Sequence, residues 1–152
     1  MGERYDLITM IHFLHSFDDV LPIIQNALRH LTSDGRLLII QQNKQGISEI
    51  KDEFLDLLPN QKFHCSDHIK QQLHTANVTF TAHRIDTSFD ISIMQEMSLD
   101  TLLLMSFCLV NDLSKLNTNQ QERVRQAFLS RAEEIDGVDV ICESMEAIVC
   151  HV

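Results

Sequence analysis

The sequence predicts an α/β protein built on an open, mostly parallel sheet. Three observations point to it. Tyr5-Asp6-Leu7-Ile8-Thr9-Met10-Ile11 carries Leu7, Ile8, Met10 and Ile11 on both strand parities, the pattern of a strand covered on both faces. Val20, Ile23, Ile24, Ala27, Leu28 and Leu31 then recur at helical spacing, with Pro22 placed early, where a missing amide costs little. Residues 36–40 form a second, nearly continuous apolar strand. Strand, helix and strand within the first 40 residues make one β-α-β unit with a right-handed crossover.

The elements follow in order. Asp18 offers the first helix its start, since carboxylates suit the positive end of a helix dipole. Thr32-Ser33-Asp34-Gly35 is expected to stop that helix. A helix is predicted over 48–58, with Ile50, Phe54, Leu57 and Leu58 on one face and Pro59-Asn60 as its end. Ser66 has the chemistry of a cap for a helix over 67–75, buried through Ile69 and Leu73. Residues 77–85 alternate Val78, Phe80 and Ala82 and predict a third strand. Residues 99–110 are apolar all round and predict a helix enclosed by other elements. Residues 120–135 are amphipathic through Val124, Ala127, Phe128 and Ala132. Asp136-Gly137 turns the chain into 138–152, read as two strand-like runs joined near Glu143-Ser144.

Composition narrows the function. At 152 residues the chain is one domain or a piece of one. Twelve Lys and Arg against 22 Asp and Glu give a net charge of −10, unsuited to phosphate backbones or anionic membrane surfaces. No apolar run approaches the roughly 20 residues of a membrane helix. The four glycines, Gly2, Gly35, Gly46 and Gly137, form no Gly-x-Gly, so no glycine-built phosphate cradle lies within the sequence. The four cysteines form no Cys-x-x-Cys pair. The opening Met1-Gly2-Glu3-Arg4 shows no secretory pattern, and Asp6 stands where a myristoylation signal needs Ser or Thr. Reduced thiols in a cytoplasmic protein are the expectation.

In open α/β sheets, ligands bind at the carboxyl ends of parallel strands. His12, His15 and Ser16 follow the first strand and are the leading candidates there; the plainer alternative is that His12 closes the strand and His15 is solvated. His64, Cys65 and His68 have metal-like spacing, but no second pair completes four ligands, which favours an ordinary helix start at Ser66. Cys142 and Cys150 share strand parity and are expected to be buried as small hydrophobes. Arg131-Ala132-Glu133-Glu134 is expected to be a solvated helix face.

Residues 5–15 resemble the fourth strand of class I S-adenosylmethionine-dependent methyltransferases. There an aromatic-Asp pair opens the strand, a Leu-His-type turn follows, and a helix leads into Leu-x-x-x-Gly and three apolar residues. Here that last piece is Leu31-Thr32-Ser33-Asp34-Gly35-Arg36-Leu37-Leu38-Ile39. More particularly, nearly all 152 residues resemble the C-terminal half of the histamine N-methyltransferase family. The resemblance runs through Met10-Ile11-His12-Phe13-Leu14, Ser66-Asp67-His68-Ile69, Asp86-Thr87-Ser88-Phe89-Asp90-Ile91-Ser92 and Ala147-Ile148-Val149.

The resemblance implies a partial Rossmann-like methyltransferase fold comprising strands four to seven. The last strand, within 138–152, would run antiparallel beside the fifth, and 92–136 would form a helical segment covering the acceptor. It implies S-adenosyl-L-methionine as cofactor and an amine nitrogen of a small molecule as acceptor. Carried over residue by residue, Met10 and Ile11 lie against the cofactor, while His12, His15 and Ser16 face the acceptor. His15 or His12 would orient or deprotonate the amine. Glu143 falls where the family has an acceptor-contacting Asn. The family carries Gln and two Tyr where this chain has His12, His15 and Ser16, which leaves the acceptor's identity open. The family's glycine-rich first loop lies upstream of the matched strand, so the N-terminal cofactor-binding half is expected to be absent. Three readings stay open: an enzyme fragment inactive alone, an interaction module or dimer without cofactor binding, and half of a two-chain enzyme. In each, Leu7 to Ile11 is an unpaired apolar edge, expected to be covered by a second copy or a partner chain.

Overall fold

The computed structural model describes residues 3–14, 17–58 and 64–151. The elements are β1 (Tyr5–Ile11), α1 (Leu21–Arg29), β2 (Leu31–Gln42), α2 (Ile47–Glu53), α3 (Ser66–Thr75), β3 (Thr79–Asp90), α4 (Leu99–Leu109), α5 (Thr118–Leu129), β4 (Glu133–Ile135) and β5 (Val138–His151). The sheet order is β1-β2-β5-β3, with β4 paired to β5. β1 runs parallel to β2, and β5 runs antiparallel to β2, as the expected final strand should.

The chain divides into two compact units: residues 1–43, 62–85 and 145–152 in the first, and 44–61 and 86–144 in the second. In the first unit, β1 is an edge of the sheet. Met10 is buried, but Leu7 and Ile11 are 58% and 54% exposed, so the strand read as covered on both faces is covered on one. α1 begins at Leu21 rather than at Asp18. The Leu21 amide donates to Asp19 Oδ1 at 3.2 Å, and Pro22 occupies the first turn. The helix packs Ile24 and Ala27 into a core with Leu37, Ile39, Leu73 and Ile148.

Thr32-Ser33-Asp34-Gly35, expected as the helix stop, lies inside β2. Tyr5 sits opposite Leu31 while Leu7 sits opposite Arg36, so β2 carries extra residues as a bulge. Gly35 makes that bulge possible: a Cβ there would stand 2.9 Å from the Tyr5 carbonyl oxygen and 3.0 Å from Leu31 Cβ. Ser66 is likewise not a cap. It occupies the first turn of α3 behind Cys65 and is fully buried, and Ile69 and Leu73 are buried as predicted.

The second unit packs α2, α4 and α5 around Ile50, Phe54, Met105, Leu109, Val124 and Phe128. α2 ends at Glu53, and a turn over 54–57 keeps Phe54 and Leu58 in the core; Pro59-Asn60 lies outside the described residues. The Ser98 hydroxyl caps α4 by accepting from the Thr101 amide at 3.1 Å. α4 is not enclosed: Leu99, Leu103, Phe107 and Val110 form one exposed stripe, while Thr101, Met105, Cys108 and Leu109 are buried. α5 starts earlier and ends sooner than expected. Asn117 and Gln120 cap it reciprocally, and the chain leaves the helix after Leu129 to form β4.

Asp136 and Gly137, at φ +52° and +79°, make the two-residue turn between β4 and β5. β5 is one 14-residue strand, not two runs. Arg131-Ala132-Glu133-Glu134 therefore spans the helix exit and β4, and Arg131 pairs with Glu53 at 2.9 Å. Cys150 is buried as predicted. Cys142 is exposed, with its thiol 3.6 Å from Glu133 Oε2.

Candidate functional site

The parallel ladder of β1 and β2 closes at its carboxyl end where the His12 amide donates to the Ile40 carbonyl at 3.0 Å. His12 then enters the left-handed region at φ +47°, which ends the strand and turns the chain away from the sheet. Its exposed ring is held at Nε2, 3.1 Å from Met145 Sδ. Met145 stands opposite Gln42 in the β2–β5 register, so the carboxyl ends of β1 and β2 meet β5 at mid-strand.

Around this point Leu14 is fully buried and anchors the loop, and the Phe13 and Phe17 rings meet edge to face at 4.9 Å. His64, buried before α3, donates from Nε2 to the Phe17 carbonyl at 2.8 Å. Its ring lies 4.9 Å from that of His68, whose pKa is lowered first by burial and then by the neighbouring His64 charge. On α3, Lys70 bridges Glu146 at 2.7 Å and Asp67 at 2.9 Å. Gln41 Oε1 and Ser66 Oγ are buried without a hydrogen-bond partner among the described residues. No group of three His, Cys, Asp or Glu side chains among the described residues is placed to hold a metal ion.

Of the sequence candidates, His12 and Ile11 are exposed at the carboxyl end of β1, while Met10 is buried in the first unit's core. His15 and Ser16 lie outside the described residues. Glu143 belongs to the second unit, where Oε1 accepts from the Ile47 amide at 3.2 Å and caps α2. Gly46 precedes that helix at φ +68° and has no side chain to do so; a Cβ there would stand 2.8 Å from Glu143 Cγ. Glu143 also acts on two buried neighbours. Burial lowers the pKa of Lys51, against the pull of Cys108 and Glu143. Burial, reinforced by Glu143, pushes the Cys108 thiol up to about 12. Sequence reasoning missed Met145. The signal for it is that a last strand antiparallel to the fifth must bring some residue near 145 to this end, whereas a break at Glu143-Ser144 would end the pairing before it.

Beside β1, an open groove of about 460 Å³ is lined chiefly by Tyr5, Leu7, Ile8, Met10, Ile23 and Ala27. No helix among the described residues is long and apolar enough to cross a membrane.

Comparison with known proteins places this architecture. A family profile described as a methyltransferase domain matches residues 2–84, more than half of the sequence, and the chain belongs to that family. No curated protein matches it. Among solved structures, a protein assigned as a methyltransferase from Bacillus halodurans superposes with a TM-score of 0.54 at 14% identity, covering 97% of this chain and 64% of that one. The YcgJ protein of Bacillus subtilis gives the same four values. A cyclopropane-fatty-acyl-phospholipid synthase-like protein from Lactobacillus casei gives 0.55 at 14% identity, covering 97% of this chain and 56% of that one. The likeness at this identity is one of fold, and the chain spans less than two thirds of the length of each. Sheet order and family together define a class I, Rossmann-like methyltransferase fold.

Proposed function

We propose that this chain forms the acceptor side, and one wall of the cofactor side, of an S-adenosylmethionine-dependent enzyme that methylates a nitrogen of a small-molecule amine. The observation that carries the reading is His12: exposed at the carboxyl end of a parallel strand, in a costly backbone conformation, and held there by Ile40 and Met145.

S-adenosylmethionine, the cofactor of the class, supplies a methyl group on a sulfonium. The residues present fit part of its site. Ile11 offers an exposed apolar surface and Met10 is buried, while no Gly-x-Gly exists in the 152 residues to cradle the rest. An amine attacks only when neutral, so His12, with His15 and Ser16 just beyond it, orients the nitrogen and takes its proton. Holding nitrogen and methyl in line is worth up to about 7–11 kcal/mol. Glu143 suits a cationic part of an acceptor, a contact of roughly 1.5–3 kcal/mol, and that role competes with its cap on Ile47. A histamine-like acceptor is consistent with a small basic amine. The four free thiols suit a reducing, cytoplasmic setting.

Turnover on this reading requires that the β1 edge and its groove be covered, by a second copy or by a partner chain that brings a glycine-rich loop. A non-catalytic interaction module is the second reading, favoured by the same exposed edge. Calorimetric titration with S-adenosylhomocysteine tests the requirement. The chain alone is expected to show no micromolar binding; a micromolar Kd without any partner contradicts it.

A further inference from the structure

We propose that the exposed apolar stripe of α4 is a docking surface for a cationic amphipathic helix of another protein. The claim stands apart from the reading of His12 given above.

Charge is unevenly divided along the chain. The second unit, residues 44–61 and 86–144, holds 6 of the 12 Lys and Arg but 15 of the 22 Asp and Glu, a net −9, which leaves the first unit at −1. Five of those six cations are engaged within the unit. Lys51 is buried, Arg123 lies over the Phe54 ring, and Arg125, Arg131 and Lys115 each pair with a carboxylate. Against that acidic background Leu99, Leu103 and Phe107 are 70%, 58% and 74% exposed. They recur every fourth residue and so rise about 12 Å along one line of the helix. Met105, Cys108 and Leu109 hold the opposite side of α4 in the core, so the helix cannot roll to hide the stripe.

These features choose the occupant. A convex line of apolar side chains offers no cavity to a small molecule. A second copy would bring −9 against −9, and an anionic membrane surface repels the unit in the same way. An amphipathic helix packs its own apolar row along such a stripe, and basic residues flanking that row meet the surrounding carboxylates. Orientation follows from the ends of α4. Glu96 and Asp100 are exposed at its N-terminal end, whereas Asp112, beyond its C-terminal end, is already paired with Lys115 at 3.4 Å. A helix carries its favoured cations in its last turn. A partner running antiparallel to α4 therefore puts them against Glu96 and Asp100.

The probe is a synthetic helix of about 20 residues, with Leu at every third or fourth position and Lys elsewhere, titrated into the ¹⁵N-labelled chain. Amide shifts are expected to move saturably over 96–112 and little elsewhere. The same peptide with Glu in place of Lys is expected to bind about 10-fold or more weakly. Phe107→Ser and the double variant Glu96→Gln/Asp100→Asn, all at exposed positions, are each expected to weaken the Lys peptide severalfold with the urea midpoint little changed. Equal binding of the two peptides, shifts centred away from α4, binding that these variants leave unmoved, or no saturable shift overturns the proposal. So does self-association that Phe107→Ser abolishes, which would make a second copy the occupant.

Discussion

Val110 ends α4 in the left-handed region at φ +51°, where a β-branched side chain is the least suited of residues. Its amide donates to the Phe107 carbonyl at 3.1 Å and the next amide, of Asn111, to the Ser106 carbonyl at 3.0 Å, a stop that glycine usually supplies. Val110→Gly should raise stability by about 1 kcal/mol, read as a higher urea midpoint; an unchanged or lower midpoint would show that the strain is not stored there. Gly46 is the opposite case. Gly46→Ala must place a Cβ 2.8 Å from Glu143 Cγ and 2.9 Å from the Cys142 carbonyl oxygen at φ +68°, and should cost about 1–3 kcal/mol. Cys108, pushed up to about 12 by burial and Glu143, remains a thiol in the folded protein where the unfolded chain has already ionised, near 9. Its folded-state pKa is raised, so the stability it contributes is full below pH 9 and is lost as pH rises towards 12. Cys108→Ala should flatten that alkaline decline, measured as denaturation midpoints across pH. A thiol reagent at pH 8 should label the exposed Cys142 before Cys108 and Cys150.

At the scale of elements, exposure divides α4 cleanly. Phe107, 74% exposed, should tolerate replacement by Ser within about 0.5 kcal/mol. Met105→Ala, in the buried row, should cost about 2–5 kcal/mol; comparable losses at both positions in chemical denaturation would mean the stripe is covered in solution. The sequence could not distinguish these faces, because an all-apolar helix carries no polar side to mark the solvent. β1 shows the same limit from the other direction. Its bounds were legible to the residue, since apolar positions on both parities need a strand, but the pattern says what a strand is built to face and not whether a neighbour is there. Helix ends were read least well where side-chain chemistry misled. Asp18 and Ser66 look like caps, yet α1 starts behind Val20 with Asp19 accepting the Leu21 amide, and Ser66 lies inside its helix. Thr32-Ser33-Asp34-Gly35 has the composition of a turn, and only the register against Tyr5 and Leu7 shows it to be a bulge. His12 was legible as a candidate from its place after a parallel strand. Met145 was not, because its part depends on a pairing 133 positions away.

For the whole molecule, the order β1-β2-β5-β3, with the last strand antiparallel and inserted, is the feature that connects sequence to class. A net charge of −10 suits attraction of a cationic amine rather than of a phosphate polymer. The exposed β1 edge predicts association: sedimentation should show a species heavier than the 17.5 kDa chain, with Leu7→Lys shifting it towards monomer. A monodisperse wild-type monomer would leave the edge without the covering proposed for it. The central claim, that His12 takes the proton of an amine in a methyl transfer, is met most directly by following labelled methyl from S-adenosylmethionine to a panel of small amines, with the chain in the assembly that covers its β1 edge. The label should arrive on nitrogen, at a rate that drops about 100-fold or more in His12→Ala and recovers as the assay pH is raised to deprotonate the amine. No transfer to any amine, or transfer that His12→Ala leaves unchanged, would contradict it.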